Sequence, residues 1–165
     1  MYLSEGVRMT AIATAASPHP QRATTVEVRL PSRLGFEKVA MSTAASVAKL
    51  MGFREERIDD LKTAIAEACI NAIEHGNRLN EKLSVGVVLS AGTDALEIKV
   101  MDDGKGMKNA PTKPDIDKKM HGEEDPRGMG MFLIQALVDE AEWVVGTNGK
   151  GSYVRLVIRL DKEES

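Results

Sequence analysis

The chain has 165 residues, 42% of them hydrophobic and 28% charged, with a net charge of −3. That length supplies one sizeable core, and that charge provides no basic field for nucleic acid or an anionic membrane. Aromatics at 4% argue against a base-stacking surface for nucleic acid, and the one cysteine, Cys69, forms no internal disulfide. No Cys/His cluster has metal-ligand spacing, and no apolar run approaches the roughly 20 residues that cross a bilayer. A protein of a reducing, cytoplasmic compartment is expected.

Residues 1–23 mix charges and prolines around a weak Ala/Ile/Thr run. They are read as a flexible N-terminal extension rather than a signal peptide, followed by a single domain over residues 24–165. Thr25–Leu30 alternates and is rich in β-branched residues, predicting a half-buried strand that Pro31-Ser32 ends. From Phe36 to Met51 the apolar residues recur at helical spacing, with Gly52 as a stop signal. A second helix is predicted from Glu55 to His75, with Gly76 as its C-terminal cap. Its apolar stripe is Ile58, Leu61, Ile65, Ala68 and Ala72; Asp60, Glu67, Asn71, Glu74 and Arg78 share the opposite arc, with His75 at its edge.

Two strands follow, Lys82–Ala91 and Ala95–Met101, joined by a turn at Gly92-Thr93-Asp94. Residues 107–127 lack periodicity and carry three prolines and many charges, the character of a lid or binding loop. A third helix opens at Gly128–Gly130 and is expected to turn Phe132, Leu133, Leu137, Val138 and Ala141 to the core. A hairpin closes the pattern, Glu142–Thr147 and Ser152–Leu160 around Asn148-Gly149. This order predicts a two-layer α+β sandwich with helices on one face of a mixed, mainly antiparallel sheet.

Four constellations carry chemistry. Glu67, Asn71 and His75, spaced by four, project along one side of the second helix. An amide oxygen there suits Mg²⁺ and a carboxylate one turn away suits a general base, although a solvated helix face has the same pattern. Asp102, with Gly104 and Gly106, stands at a strand tip. A carboxylate so placed accepts a hydrogen bond from an exocyclic amine such as that of adenine, and a surface turn is the simpler alternative. Arg127-Gly128-Met129-Gly130 opens a helix, whose free amides and positive dipole end favour phosphate; helix packing or capping is the plain alternative. Neither a dinucleotide-binding nor a Walker A pattern fits those glycines. Gly151-Ser152 opens the last strand and offers a hydroxyl, in what is otherwise a hairpin turn.

Taken together and in this order, these segments resemble the motifs of the GHKL superfamily. ExxxNAIEHG (Glu67 to Gly76) is similar to its N box, VxDxGxG (Val100 to Gly106) to its G1 box, and RGMGMFLI (Arg127 to Ile134) to its G2 box. The resemblance spans Thr24 to Leu160 and implies the Bergerat ATP-binding fold, with ATP and Mg²⁺ as cofactors. Within the superfamily the chain most resembles the bacterial anti-sigma-factor serine/threonine kinases. That resemblance rests on EACINAIEHGN, on the short segment running into GMGM, and on a Gly-Ser where that family usually has Gly-Thr.

The resemblance implies a homodimer that holds an RNA polymerase sigma factor and phosphorylates an anti-anti-sigma protein of the STAS fold. It makes Glu67 the general base and Asn71 the Mg²⁺ ligand. Asp102 would bind the adenine amine, with Gly104 and Gly106 shaping that pocket. Arg127, Gly128, Met129 and Gly130 would cradle phosphates, with Lys113 reaching them, and His75 and Ser152 complete the expected nucleotide contacts. Small apolar residues around the first helix are core packing or, where exposed, a dimer or sigma surface. Three rival readings remain: a histidine-kinase-like ATPase domain acting on another chain, a gyrase- or MutL-like ATPase, for which no transducer domain follows Leu160, and a non-catalytic ATP-binding module that sequesters its partner.

Overall fold

The computed structural model describes residues 23–104, 128–146 and 151–161. The expected lid, with Gly106, Lys113 and Arg127, lies outside the described residues, as do Asn148-Gly149 and all but the last residue of the expected N-terminal extension. The elements run in the expected order. They are β1 (Thr24–Pro31), α1 (Glu37–Met51), α2 (Glu55–Asn71), a π turn (Ala72–Gly76), β2 (Ser84–Ala91), β3 (Ala95–Asp102), α3 (Gly128–Leu137), β4 (Glu140–Val144) and β5 (Tyr153–Arg159). The sheet order is β1-β2-β3-β5-β4, and each of these pairings is antiparallel.

The period-two pattern of the strands sorts the sheet into two faces. Register sets Val26, Leu89, Ile98, Leu156 and Ala141 in one cross-strand row, and Val28, Val87, Val100, Val154 and Trp143 in the next. These rows face the helices and supply much of the core, with Leu89, Ile98, Leu156 and Val87 fully buried. The other face is charged: Arg155 bonds Glu97 at 2.7 Å and Glu140 at 3.2 Å, and Arg159 also pairs with Glu140. The two-layer α+β sandwich expected from the sequence is thus the fold.

Helix α1 buries Ala40, Ala44 and Ala48 in one stripe. Small side chains there let α1 lie close to its neighbours, while Val39 and Leu50 face outward. Gly52 ends α1 at φ 89°, its N–H bonding the Lys49 carbonyl and the Phe53 N–H that of Ala48. Both bonds satisfy carbonyls that the helix end would otherwise leave orphaned, and the left-handed residue they need is a glycine. Helix α2 opens with Glu55 and Glu56 at the positive end of its dipole and buries Ile58, Leu61, Ala64, Ile65, Ala68 and Cys69. Cys69 has no exposed surface, and burial, with a smaller push from the Glu37 charge, drives its thiol up to about 12.

Two expectations about the helices are corrected. Gly76 does not cap α2. The helix passes into a π turn at Ala72, and the chain reverses at Arg78 and Leu79, which adopt φ 52° and 58°. Arg78 therefore leaves the helical arc. Left-handed backbone at a non-glycine residue costs roughly 1–2 kcal/mol. Hydrogen bonds from Asn77 N–H to the Ala72 carbonyl and from Leu79 N–H to the Ile73 carbonyl, both 2.8 Å, offset that cost. In α3 the buried anchor is Ile134, with Val138 just beyond the helix, whereas Leu133 stays 37% exposed and Ala141 belongs to β4. The far end of α3 is tied to α2, because Arg57 donates to the Leu137 carbonyl at 3.3 Å and pairs with Asp139 at 2.8 Å.

Candidate functional site

One row of the sheet breaks the apolar pattern. Leu30, Val85 and Asp102 stand side by side on the helix-facing side, and Asp102 is only 8% exposed. Three glycines let the backbone close up around Asp102. A Cβ on Gly76 would lie 2.4 Å from Asp102 Cγ, one on Gly151 would lie 1.8 Å from the Asp102 carbonyl oxygen, and one on Gly104 would lie 2.0 Å from the Gly76 carbonyl oxygen. Gly76 is thus required by close approach rather than by a positive φ.

Backbone amides hold the carboxylate. Gly104 N–H donates to Asp102 Oδ1 at 3.1 Å, the Ser152 amide also favours the ionised form, and Asp102 N–H itself donates to the Ser152 carbonyl at 3.0 Å. Burial nevertheless raises its pKa, helped by the Asp103 charge and opposed by those amides. An acceptor buried beside a cleft is suited to a neutral donor such as a ring amine.

The cleft, about 360 Å³ with its open mouth included, is lined by Ala68, Asn71, Ala72 and Gly76 from the helical side. From the sheet it is lined by Val100, Asp102, Trp143, Ser152, Tyr153 and Val154. Asn71 Nδ2 is buried without a hydrogen-bond partner. An unpaired buried amide is costly, and such an orphan at a cleft wall fits a site completed by a ligand. Ser152 is buried, and its hydroxyl oxygen accepts the Gly146 N–H at 3.3 Å, which ties β5 to the segment after β4.

The start of α3 reaches the same region. A Cβ on Gly130 would fall 2.5 Å from Glu67 Oε2 and 3.7 Å from Asn71 Nδ2. The fold therefore brings Glu67, Asn71 and Gly130 together, with Asn71, Asp102 and Ser152 sharing the cleft. Gly128 stands at the first position of α3. His75 is half-buried in the π turn and is not part of the cleft lining, and Met129 is 44% exposed. Gly104 instead lines a neighbouring hollow with Asn77, Arg78 and Asp103. Among the described residues no group of three or more His, Cys, Asp or Glu side chains could hold a metal ion.

Asn77 was missed at the level of sequence. Its side chain donates to the Ser84 carbonyl at 2.8 Å and accepts the Asp103 N–H at 3.0 Å, joining the π turn to β2 and to the end of β3. It is 2% exposed. A turn-favouring residue directly after a glycine was the one available signal.

Residues 30–158 match a family model described as a histidine kinase-like ATPase domain. Among curated proteins, the serine-protein kinase RsbW of Oceanobacillus iheyensis is 32% identical over 126 residues, covering 71% of this chain and 77% of its own. RsbW of Bacillus cereus is 32% identical over 123 residues, and that of Bacillus subtilis 29% over 124, covering 75% and 74% of their lengths and 71% and 70% of this chain. A solved structure of the RsbU and RsbW domains of a Mycobacterium tuberculosis protein superposes with a TM-score of 0.60 at 21% identity. It covers 84% of this chain, which spans 33% of that one, and the likeness is one of fold. No helix among the described residues is long and apolar enough to cross a membrane.

Proposed function

The chain belongs to the histidine kinase-like ATPase domain family and is related to the bacterial RsbW serine-protein kinases; on that premise we propose that it is an ATP-dependent serine/threonine kinase and anti-sigma factor. Residues 24–165 form its one kinase domain. It works in the bacterial cytoplasm as a homodimer, holds an RNA polymerase sigma factor and phosphorylates a STAS-fold anti-anti-sigma protein. The observation that carries this reading is the approach of Gly130 to Glu67 and Asn71, which sets a helix N-terminus beside a carboxylate one turn from the cleft that Asn71 and Asp102 share.

Each residue then has a task. Asp102, held by backbone amides, accepts a hydrogen bond from the adenine amine. Asn71, whose amide is buried at the cleft wall with its nitrogen unpaired, would hold Mg²⁺ through its amide oxygen. When bound, the ion would neutralise phosphate charge, which phosphoryl transfer needs alongside positioning. The amides and dipole of the α3 start, at Gly128 to Gly130, attract phosphate oxygens, with Arg127 and Lys113 adding charge. Glu67 Oε2 accepts the proton of the acceptor hydroxyl, and Gly130, lacking a side chain, leaves room for both. Gly104 and Gly106 shape the adenine end. Met129, pointing to solvent, contributes through its backbone, and Ser152 contributes by positioning the amide that holds Asp102. His75 is given no contact.

The test is capture of partners from lysate of the source cells with the full chain and Mg-ATP, followed by mass spectrometry. A recovered sigma factor together with a small protein newly phosphorylated on Ser or Thr is the expected result. A stable partner without phosphorylation, despite measured ATP binding, would replace the kinase with a sequestering module.

A further inference from the structure

The cleft has two aromatic neighbours, Trp143 and Tyr153, and register separates them. Trp143 of β4 pairs with Val154, which pairs with Val100, and opposed residues of an antiparallel pair project to the same face. Trp143, Val154 and Val100 all line the cleft, so the indole belongs to its sheet-side wall, at the edge strand where the row ends. Tyr153 lies one residue out of phase, opposite Met101 and Val144, and its ring centroid is 6.0 Å from Lys99 Nζ on the charged face. The other apolar side chains of the wall, Ala68, Ala72, Val100 and Val154, are aliphatic and mostly small. Trp143 is half-buried and packs against the core, so it is held by its surroundings rather than free in solvent.

We propose that Trp143 is the stacking surface for the nucleobase, an additional binding residue that makes this site selective for an aromatic ring above the Asp102 carboxylate. This rests on the nucleotide-site reading above. Base–aromatic stacking measured by truncation to alanine corresponds to a change in affinity of about ten- to a hundredfold. The ring should act on the base and be indifferent to the number of phosphates.

Trp143 is the only tryptophan in the chain, so intrinsic fluorescence reads this residue alone. Titration of the full chain with Mg-ADP and Mg-ATP is expected to change its emission saturably, whereas Mg-tripolyphosphate, which lacks a base, leaves it unchanged. By calorimetry, Trp143→Phe should hold ADP within about threefold of wild type, and Trp143→Leu, which keeps an apolar wall without a π face, should lose about tenfold or more. Thermal melts of both variants separate loss of the site from loss of the fold. Saturable ADP binding with unaltered emission, or a Leu variant that binds as tightly as wild type, would overturn the stacking role and leave the nucleotide site standing. No saturable binding of ADP to wild type would overturn both.

Discussion

Replacing Gly130 by alanine separates stability from chemistry. The new methyl group would sit 2.5 Å from Glu67 Oε2, about 1 Å inside ordinary van der Waals contact. The clashing atom is the end of a flexible side chain, and the next contacts, Glu67 Cδ at 3.6 Å and Asn71 Nδ2 at 3.7 Å, are ordinary ones. The carboxylate therefore swings away while the backbone stays. Alanine also favours a helix over glycine by up to about 1 kcal/mol, so the melting temperature should stay level or rise by about 2–4 °C. A general base displaced by about 1 Å loses on the order of a hundredfold in rate. The assay is transfer of labelled phosphate from Mg-ATP to the captured acceptor, with melting followed in parallel. Wild-type transfer by Gly130→Ala would refute the placing of Glu67 at the reaction centre. A melting temperature lowered by several degrees would refute the side-chain adjustment.

Four further outcomes follow from the same geometry. Glu67→Gln should keep nucleotide affinity by calorimetry and abolish transfer, because the amide fills the same space but accepts no proton. Asp102→Asn should weaken ATP and ADP alike, since Asp102 faces the base end of the cleft; selective loss of ATP would misplace the adenine. The pKa of Asp102 is raised in the folded chain, so its native form holds more protons than its unfolded form over the interval between the two values. Its contribution to stability is complete below the ordinary value of 3.8, declines as pH rises through the native pKa, and is gone above it. Urea midpoints of wild type and Asp102→Asn should accordingly diverge in favour of the variant as pH rises from acid towards neutrality. Asn77→Ala strips the Ser84 carbonyl and the Asp103 N–H of buried partners, a loss of about 2–4 kcal/mol in urea unfolding.

Patterns that depend on one segment were legible in the sequence. Gly52 ended α1 because the left-handed residue beyond a helix is a local demand, and Val154, Leu156 and Ile158 declared their buried face by alternation alone. The four-residue spacing of Glu67 and Asn71 placed both on one side of α2 for the same reason. What escaped depends on contacts between distant segments. The π turn leaves no mark in the periodicity, since Ala72 and Ile73 are both buried whichever way the helix continues. Gly76 looked like a cap, but its missing side chain answers to Asp102, which only the pairing of β3 with its neighbours brings near. Leu133 and Ile134 lie about 100° apart around α3, and which of the two is buried is set by how that helix packs. Trp143 joins the cleft through its register with Val154, a pairing across residues that lie outside the described ones.

The core thiol gives the molecule a clock of its own. Cys69 is the only cysteine, has no exposed surface, and is held far from its thiolate form. An alkylating reagent therefore reaches it only in molecules that have opened, and reacts there at the ordinary rate of a free thiol. Where reclosing outpaces modification, the labelling half-life measures how seldom the core opens. A nucleotide that binds only the closed form lengthens that half-life by one plus the ratio of its concentration to Kd. Ligand affinity can thus be timed in the native sequence, at a residue in the interior of the very helix that carries Glu67 and Asn71.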